Sequence, residues 1–589
     1  MRSLLALVDN VNSQRPNILL LSVDAFRADR ASFLGYERPT TPTLDKLRKN
    51  SLICTNAVST AAFTQASLHS LMTSTRPLSY GGYDMGVVNR PPTIFHHFSS
   101  HNYTSHVLST FQWASELFGY KSGVDYLEYM FVLNSLVGTA EPVLRSQLQS
   151  YQNGKLSSSE LAAQVAPFVR GLLDWIDNYC NQRIKFYHED KRDFPNSRFV
   201  NDGYNFEKIK AIVSNHRNAF ERDQVSYTQR HFKRPFQPHE YLGAEWRLAR
   251  HPKKLIDEFV FQISNLVLRQ LAPKWASLRN MRFKRYVDGK DLADRICHRM
   301  HAYDGSRPWI MWAHFFDTHV PYCAGYGKTW YSKTKHYLEA LGYPSDIDIS
   351  IAVKKRPETD AELRNWSALY DASIRYVDEQ VGRIIDSLQK SGKRENTIVV
   401  VFGDHGEELG EHGDISHHFR CYSHNVRVPL LINHPSLKGG TIDSLVTLLD
   451  LGPTLAQLAG IESHPKWEGA PITSMPVKNR SEVILETVHG GSCILTERPI
   501  YAAVRNKEFN FLWKETLDPT DHCSPAGPEL FNIVSDPFEQ KNIYEPVHPV
   551  VENFLPIIAN RLAEIPEISD DRIIAAFGEA GQTALRSRQ

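Results

Sequence analysis

Two segments of the chain are near-continuous apolar runs that end in an acid. The first is Asn17-Ile18-Leu19-Leu20-Leu21-Ser22-Val23-Asp24, and the second is Thr397-Ile398-Val399-Val400-Val401-Phe402-Gly403-Asp404-His405. Such runs fit central strands of a parallel sheet, which are covered on both faces and therefore do not alternate. Further strands are expected at Tyr103 to Leu108 and at Pro308 to Ala313. A long helix is expected before the second acid-ended strand. There Leu363, Trp366, Tyr370, Ile374, Val377, Val381, Ile384 and Leu388 recur three or four apart as one stripe. Ser391-Gly392 is a normal helix stop. Helix, short connection and apolar strand in that order argue for α/β layering. Open parallel sheets bind ligands outside the carboxyl ends of their strands. Asp24 and Asp404, each closing such a strand, therefore mark a candidate metal site.

The pattern changes over 131–285. Helical stripes dominate, such as Leu255, Phe259, Ile263, Leu266 and Val267, and strand patterns are scarce. This segment reads as a mainly helical insertion dividing a core of 1–130 and 286–435. A last portion, 436–589, holds a helix near Leu445 to Ala459 and mixed short segments.

Composition narrows the picture. At 589 residues, 42% hydrophobic and 23% charged, the chain is an ordinary globular one. A net charge of +1 argues against a general nucleic-acid binder with charge spread over the whole surface. The charge is uneven, however. Residues 181–300 carry 25 Lys or Arg against 14 Asp or Glu, densest at Arg279, Arg282, Lys284 and Arg285. A solvated insertion and a basic wall for an anionic polymer or membrane surface both fit. No apolar stretch reaches transmembrane length, and the N-terminal apolar run meets Asp9 too soon for a signal-peptide core. The seven cysteines are scattered without a CxxC pair, as for reduced thiols. A cytoplasmic protein is the expectation.

Three clusters carry candidate chemistry. Thr60 to Thr73 reads as a loop entering a helix, where Thr64 could meet a metal and an anion or could simply cap the helix. Asp404-His405-Gly406-Glu407-Glu408-Leu409-Gly410-Glu411-His412-Gly413 offers adjacent oxygen and nitrogen ligands, with Glu411 and His412 placed to orient them. His314-Phe315-Phe316-Asp317-Thr318-His319 puts three ionisable groups after an apolar strand, and His417 and His418 could complete the wall.

With these motifs in this order, the sequence resembles the sulfatase-like branch of the alkaline phosphatase superfamily. The stretches that carry the resemblance are Pro16 to Leu47, Asn56 to Gly81, Trp309 to Tyr322, Tyr370 to Leu431 and Leu445 to Ile461, with a weaker one from Glu529 to Pro537. The resemblance implies an α/β/α sandwich around a mostly parallel sheet, with a smaller C-terminal α+β portion. It implies metal ligation by Asp24, Thr64, Asp404 and His405, with Thr64 at the nucleophile's position. It puts His417 where many members have an ester-holding lysine, and His319 at a substrate-contacting histidine.

The departures bear on the subclass. The C/S-x-P-x-R signal for formylglycine is replaced by Thr64-Gln65-Ala66-Ser67-Leu68, so no formylglycine is expected. A threonine beside a divalent ion resembles the phosphoryl-transfer members. The expected activity is a metal-dependent hydrolase or transferase that cleaves a phosphate ester, a phosphodiester among them, through Thr64. His319 or His314 would protonate the leaving group, and His417, His418 and Asp317 would contact substrate. The mixed oxygen and nitrogen donors favour Mn or Zn, with Ca open and a second ion at Asp317 and His319 undecided. The substrate would be an anionic phosphate or sulfate ester linked to a sugar, lipid or nucleotide. Two alternatives stand beside this: a sulfatase working without formylglycine, and a non-catalytic anion-binding protein.

Overall fold

A computed structural model describes residues 15–588 apart from 134–135, 137–139, 194, 196–199, 201–202, 233–241, 243–244, 247–248, 273–286, 326–329, 355, 418, 473–479, 489–494, 496–498 and 516–526. Six strands come first: β1 (Asn17–Val23), β2 (Ser51–Val58), β3 (Thr104–Ser109), β4 (Tyr126–Tyr129), β5 (Trp309–Phe315) and β6 (Thr397–Gly403). A small hairpin follows, β7 (Glu408–Leu409) with β8 (Ile415–Ser416), and then β9 (Leu430–Asn433) and β10 (Gly440–Thr447). The remaining strands are β11 (Val483–Val488), β12 (Ile500–Arg505), β13 (Phe509–Lys514) and β14 (Glu529–Asn532).

The main sheet runs β10-β2-β9-β6-β1-β5-β3-β4. Its pairs are parallel except those made by β9, which lies antiparallel between β2 and β6. β11 to β14 form a separate antiparallel sheet. The architecture is therefore the expected α/β one.

The two acid-ended strands occupy the centre. In β1, Ile18 and Leu20 enter one core while Leu19, Leu21 and Val23 enter the other. β6 divides likewise, Ile398, Val400 and Phe402 against Val399 and Val401. An apolar side chain on each face explains why neither strand alternates in sequence. The helix Asp360–Lys390 covers the second face with Trp366, Tyr370, Ile374, Val377, Val381, Ile384 and Leu388 buried. Leu363 of the predicted stripe is only half-buried and lies beside Gly410.

Two sequence readings are revised here. Leu445 to Thr447 extend strand β10 rather than a helix, and the helix itself is Leu451–Leu458. Apolar residues dominate both the strand end and the helix, with only Thr447 and Asp450 at the junction, so period did not separate the two. The stripe beginning at Leu255 does form a helix, Pro252–Leu271, but its apolar face is outward: Phe259 is 65% exposed and Leu266 61%. By contrast, Leu161, Val165, Val169, Leu172, Trp175 and Ile176 of helix Ser158–Lys185 share the core of the main sheet. The basic run Arg279, Arg282, Lys284 and Arg285 lies outside the described residues. Among the described residues no helix is long and apolar enough to cross a membrane, and Cys54, Cys180, Cys297, Cys323 and Cys421 are free thiols.

Candidate active site

β1 and β6 are adjacent and in register from Asn17 opposite Thr397 to Val23 opposite Gly403. The next residue of each is Asp24 and Asp404, so pairing alone brings the two acids to the same sheet edge. Both are fully buried. Asp404 Oδ1 accepts the backbone N–H of Ala25 at 3.1 Å and of His405 at 2.9 Å. Ala25 supplies its N–H from a left-handed conformation, φ 51°, that costs energy for a residue with a Cβ. Tyr370 of the long helix holds that turn by donating to Ala25 O and accepting from the Arg27 N–H. Thr318 donates to the Asp24 carbonyl.

Thr64 opens the helix Thr64–Thr73. The residue before it, Phe63, occupies the cap position without a side-chain cap. The Thr64 hydroxyl instead donates to Asp24 Oδ1 at 2.9 Å and lies 3.0 Å from His405 Nε2. Ser67, one turn on, donates to the Asp404 carbonyl at 2.6 Å and so ties the helix to the end of β6.

His405 Nδ1 is 2.7 Å from the carbonyl of Gly406. That acceptor fixes the proton on Nδ1 and leaves Nε2 as a lone pair facing Thr64. Gly406 is required by crowding, because a Cβ there would stand 1.9 Å from the carbonyl oxygen of His424.

His314 lies differently from its expected place as a proton donor. Its Nδ1 is 2.8 Å from Ser22 Oγ, and its Nε2 faces Asp24 Oδ1 at 3.7 Å and Asp404 Oδ2 at 3.9 Å. Burial pushes its pKa down, although Asp24 opposes this. A neutral, buried imidazole pointing at two carboxylates suits ligation better than acid catalysis. Asp24, His314 and Asp404 each offer a ligand atom within 4.8 Å of the others. Asp24 Oδ2, Asp404 Oδ2 and His314 Nε2 are buried without hydrogen-bond partners. Burial and the neighbouring Asp24 push Asp404 well above the usual carboxylate range. Two abutting buried carboxylates with orphaned oxygens are what a cation would satisfy. The donor set fits a divalent metal.

His417 and His319 form the wall above. His417 packs over His405 with ring centroids 4.3 Å apart, and His319 lies 5.2 Å from His417. Glu407, fully buried, approaches His417 Nδ1 at 3.3 Å. Burial works against a charge on His417, but Glu407, Asp24 and Asp404 outweigh it and its pKa is pushed up to about 9. His319 Nδ1 is 2.7 Å from the Val320 carbonyl, which leaves Nε2 as its outward ring nitrogen.

Asp317 is engaged elsewhere. Its Oδ1 accepts the N–H of Gly289 at 3.1 Å, at the start of helix Gly289–Ala302. Through this oxygen it acts as a helix-terminal acceptor. His418 lies outside the described residues.

The profile of the Sulfatase family matches residues 16–160 and 186–461. The chain belongs to the sulfatase family. This sulfatase-family protein is 30% identical over 258 residues to choline-sulfatase of Rhizobium meliloti (strain 1021), covering 41% of the chain and 47% of the relative. It is 27% identical over 307 residues to arylsulfatase K of Bos taurus, covering 46% and 54% respectively. The chain thus spans about half the length of these curated relatives. A solved structure described as in complex with its substrate D-glucosamine-2-N,6-O-disulfate aligns at TM-score 0.54 and 14% identity, covering 94% of this chain and 98% of that one. Phosphonate monoester hydrolase of Agrobacterium radiobacter aligns at TM-score 0.51 and 13% identity, covering 94% and 95%. These likenesses show the alkaline-phosphatase-like fold.

Sequence reasoning gives no role to three residues that hold this sulfatase-family site in shape: Ser22, Thr318 and Tyr370. Ser22 and Tyr370 were read only as strand and stripe members, since period reports burial and not a hydroxyl's partner. Glu407 stood within the Asp-His-Gly-Glu run. Its pairing with His417 depends on the β7–β8 hairpin, which has two residues per strand and no readable period.

Proposed function

We propose that this protein is a metal-dependent hydrolase that cleaves a phosphate ester through the unmodified hydroxyl of Thr64. The observation that carries the reading is the position of Thr64 Oγ1, 2.9 Å from Asp24 Oδ1 and 3.0 Å from His405 Nε2 at the head of a helix. Asp24, Asp404, His405 and His314 would hold the metal, with Thr64 beside them. Their two anionic oxygens and two imidazoles favour manganese or zinc. When bound, the ion lowers the pKa of the hydroxyl and neutralises charge on a non-bridging oxygen.

The rest follows from the chain's own groups. Thr64 Oγ1 attacks phosphorus, forming an O–P bond as the bond to the leaving oxygen breaks. The hydroxyl proton passes to Asp24, whose Oδ1 already accepts it. The leaving oxygen takes a proton from His319. The helix N-terminus and the His417 cation, backed by Glu407, stabilise charge on the non-transferred oxygens. Water then releases phosphate from Thr64, and an acceptor hydroxyl in its place would make the reaction a transfer. Sugar esters are the favoured substrates, supported by the sugar disulfate bound in the structural neighbour.

A second reading, cleavage of sulfate esters without formylglycine, is favoured by the names of the sequence relatives. Matched aryl phosphodiester, phosphomonoester and sulfate substrates separate the two. The first reading predicts preference for a phosphate ester and a loss of at least ~1,000-fold in kcat for Thr64→Ala, with partial activity in Thr64→Ser. Preferred turnover of the sulfate, or an active Thr64→Ala, rejects it.

A further inference from the structure

A second cluster of metal-ligating groups lies at the seam between the main sheet and the four-stranded sheet. It is built from His412 in the β7–β8 turn, His424 in the short helix Ser423–Val426, and Glu539 in the loop after β14. One ligand atom from each lies within 4.8 Å of the others. His424 is 6% exposed and Glu539 1%.

Two observations separate this cluster from an ordinary polar seam. The first is that His412 Nε2 and His424 Nε2 are both buried and have no hydrogen-bond partner. The nearest acceptor of His424 Nε2, Glu408 Oε2, is 3.8 Å away, beyond hydrogen-bond range. Burying one imidazole nitrogen unsatisfied is costly, and burying two that converge is costlier still. The rings are also fixed: His412 stacks on Tyr422 at 3.8 Å and 5°, and Tyr422 is in turn anchored to Glu529 at 2.8 Å.

The second is the balance of charge. Glu539 accepts the Ser423 N–H at 2.6 Å and Asn510 Nδ2 at 2.7 Å, one on each oxygen, which orients the carboxylate and leaves each oxygen a further lone pair. Glu529 is pushed above the usual carboxylate range by burial, with Glu539 adding to it. Arg420 pairs with Glu408 and Asp414 instead, and Arg505 stands 3.8 Å from Glu539. Glu539 thus keeps acceptor capacity for a cation beside the long Arg505 contact.

We propose that His412, His424 and Glu539 bind a zinc-class divalent ion that clips the four-stranded sheet to the metal-site loop of the main sheet. Two neutral imidazoles and a carboxylate are a usual zinc set, with water in the fourth position. The Ser423 and Asn510 contacts to Glu539 are the outer hydrogen bonds that such ligands carry. This ion is distinct from the one held by Asp24 and Asp404, and the inference does not depend on the function proposed above.

The test uses the full chain. Zinc content is measured on the Asp24→Ala/Asp404→Ala protein after equilibration with zinc and removal of excess. One equivalent per chain is expected to remain, falling to near zero when His412→Ala and His424→Ala are added. Added zinc should raise the unfolding temperature of the first protein and not of the second. X-ray absorption of the zinc-loaded Asp24→Ala/Asp404→Ala chain should show two imidazole ligands, a readout that needs no histidine variant to fold. No retained zinc in the Asp24→Ala/Asp404→Ala chain, or bound zinc without imidazole scattering, overturns the proposal.

Discussion

The geometry of a few residues decides the chemistry. Thr64 faces two acceptors, Asp24 and His405, outside its own helix, which is the arrangement the proposed nucleophile needs. Glu407 is the corresponding support for His417. Buried, and 3.3 Å from Nδ1, it favours the charged form of His417. Removing such a partner typically costs 10–100-fold, so Glu407→Gln is expected to lower kcat/KM by about that factor. His417→Lys, which carries its own charge, should retain activity and be less sensitive to Glu407→Gln. Steady-state kinetics of the two single variants and the double variant check this, and equal sensitivity in both backgrounds rejects the role given to Glu407.

Asp24, Asp404, His405 and Thr64, which the fold brings together, stand at strand ends and a helix start, and such features are local in sequence. The role of His314 was not legible in this way. Its neighbours Asp24 and Asp404 lie far away in sequence, and only the β1–β5 and β1–β6 registers bring them together. The contact of Asp317 with Gly289, at a helix start 28 residues earlier, was not legible either.

At the level of elements, the site rests on the helix Asp360–Lys390. It fills one face of the sheet and also sends Tyr370 to the turn after β1. Tyr370→Phe removes a buried hydroxyl that bonds both Ala25 O and Arg27 N, and is expected to destabilise the fold by about 1–3 kcal/mol. Trp366→Ala, in the same stripe but remote from that turn's hydrogen bonds, is expected to cost about 3–5 kcal/mol through the cavity it leaves. Urea unfolding measures both. Only Tyr370→Phe should also weaken metal binding, because only it loosens the Asp24 turn. Period-based reading found this helix and both central strands, where the apolar signal is long. It failed at β10, where strand and helix follow one another with only Thr447 and Asp450 as polar residues between them, and at Pro252–Leu271, where an apolar stripe does not report which way it faces.

For the whole molecule, buried histidines add to the loss of stability in acid. Burial, with Arg90 nearby, pushes His69 down to about 3, and burial with Arg394 pushes His434 down to about 4, from an ordinary value of 6.5. Because the folded values lie below the unfolded one, their stabilisation is complete above pH 6.5. It is lost as pH falls toward 4 and then 3. Each unit of separation is worth about 1.4 kcal/mol, so stability should fall steeply across this window. The dependence of the urea midpoint on pH measures it, and His434→Gln should flatten the curve. An unchanged slope would show that His434 is not held neutral by the fold.

The central claim is that Thr64, unmodified, is the nucleophile of a phosphate ester hydrolase. Peptide mass spectrometry of enzyme quenched in acid during turnover of a bis-aryl phosphodiester tests it most directly. The account predicts that the peptide containing Thr64 carries an aryl phosphate during turnover, on Thr64 itself, and that Thr64→Ala shows neither adduct nor turnover. An unmodified Thr64 in an enzyme that is turning over under conditions where release is rate-limiting, or an adduct on another residue, contradicts it.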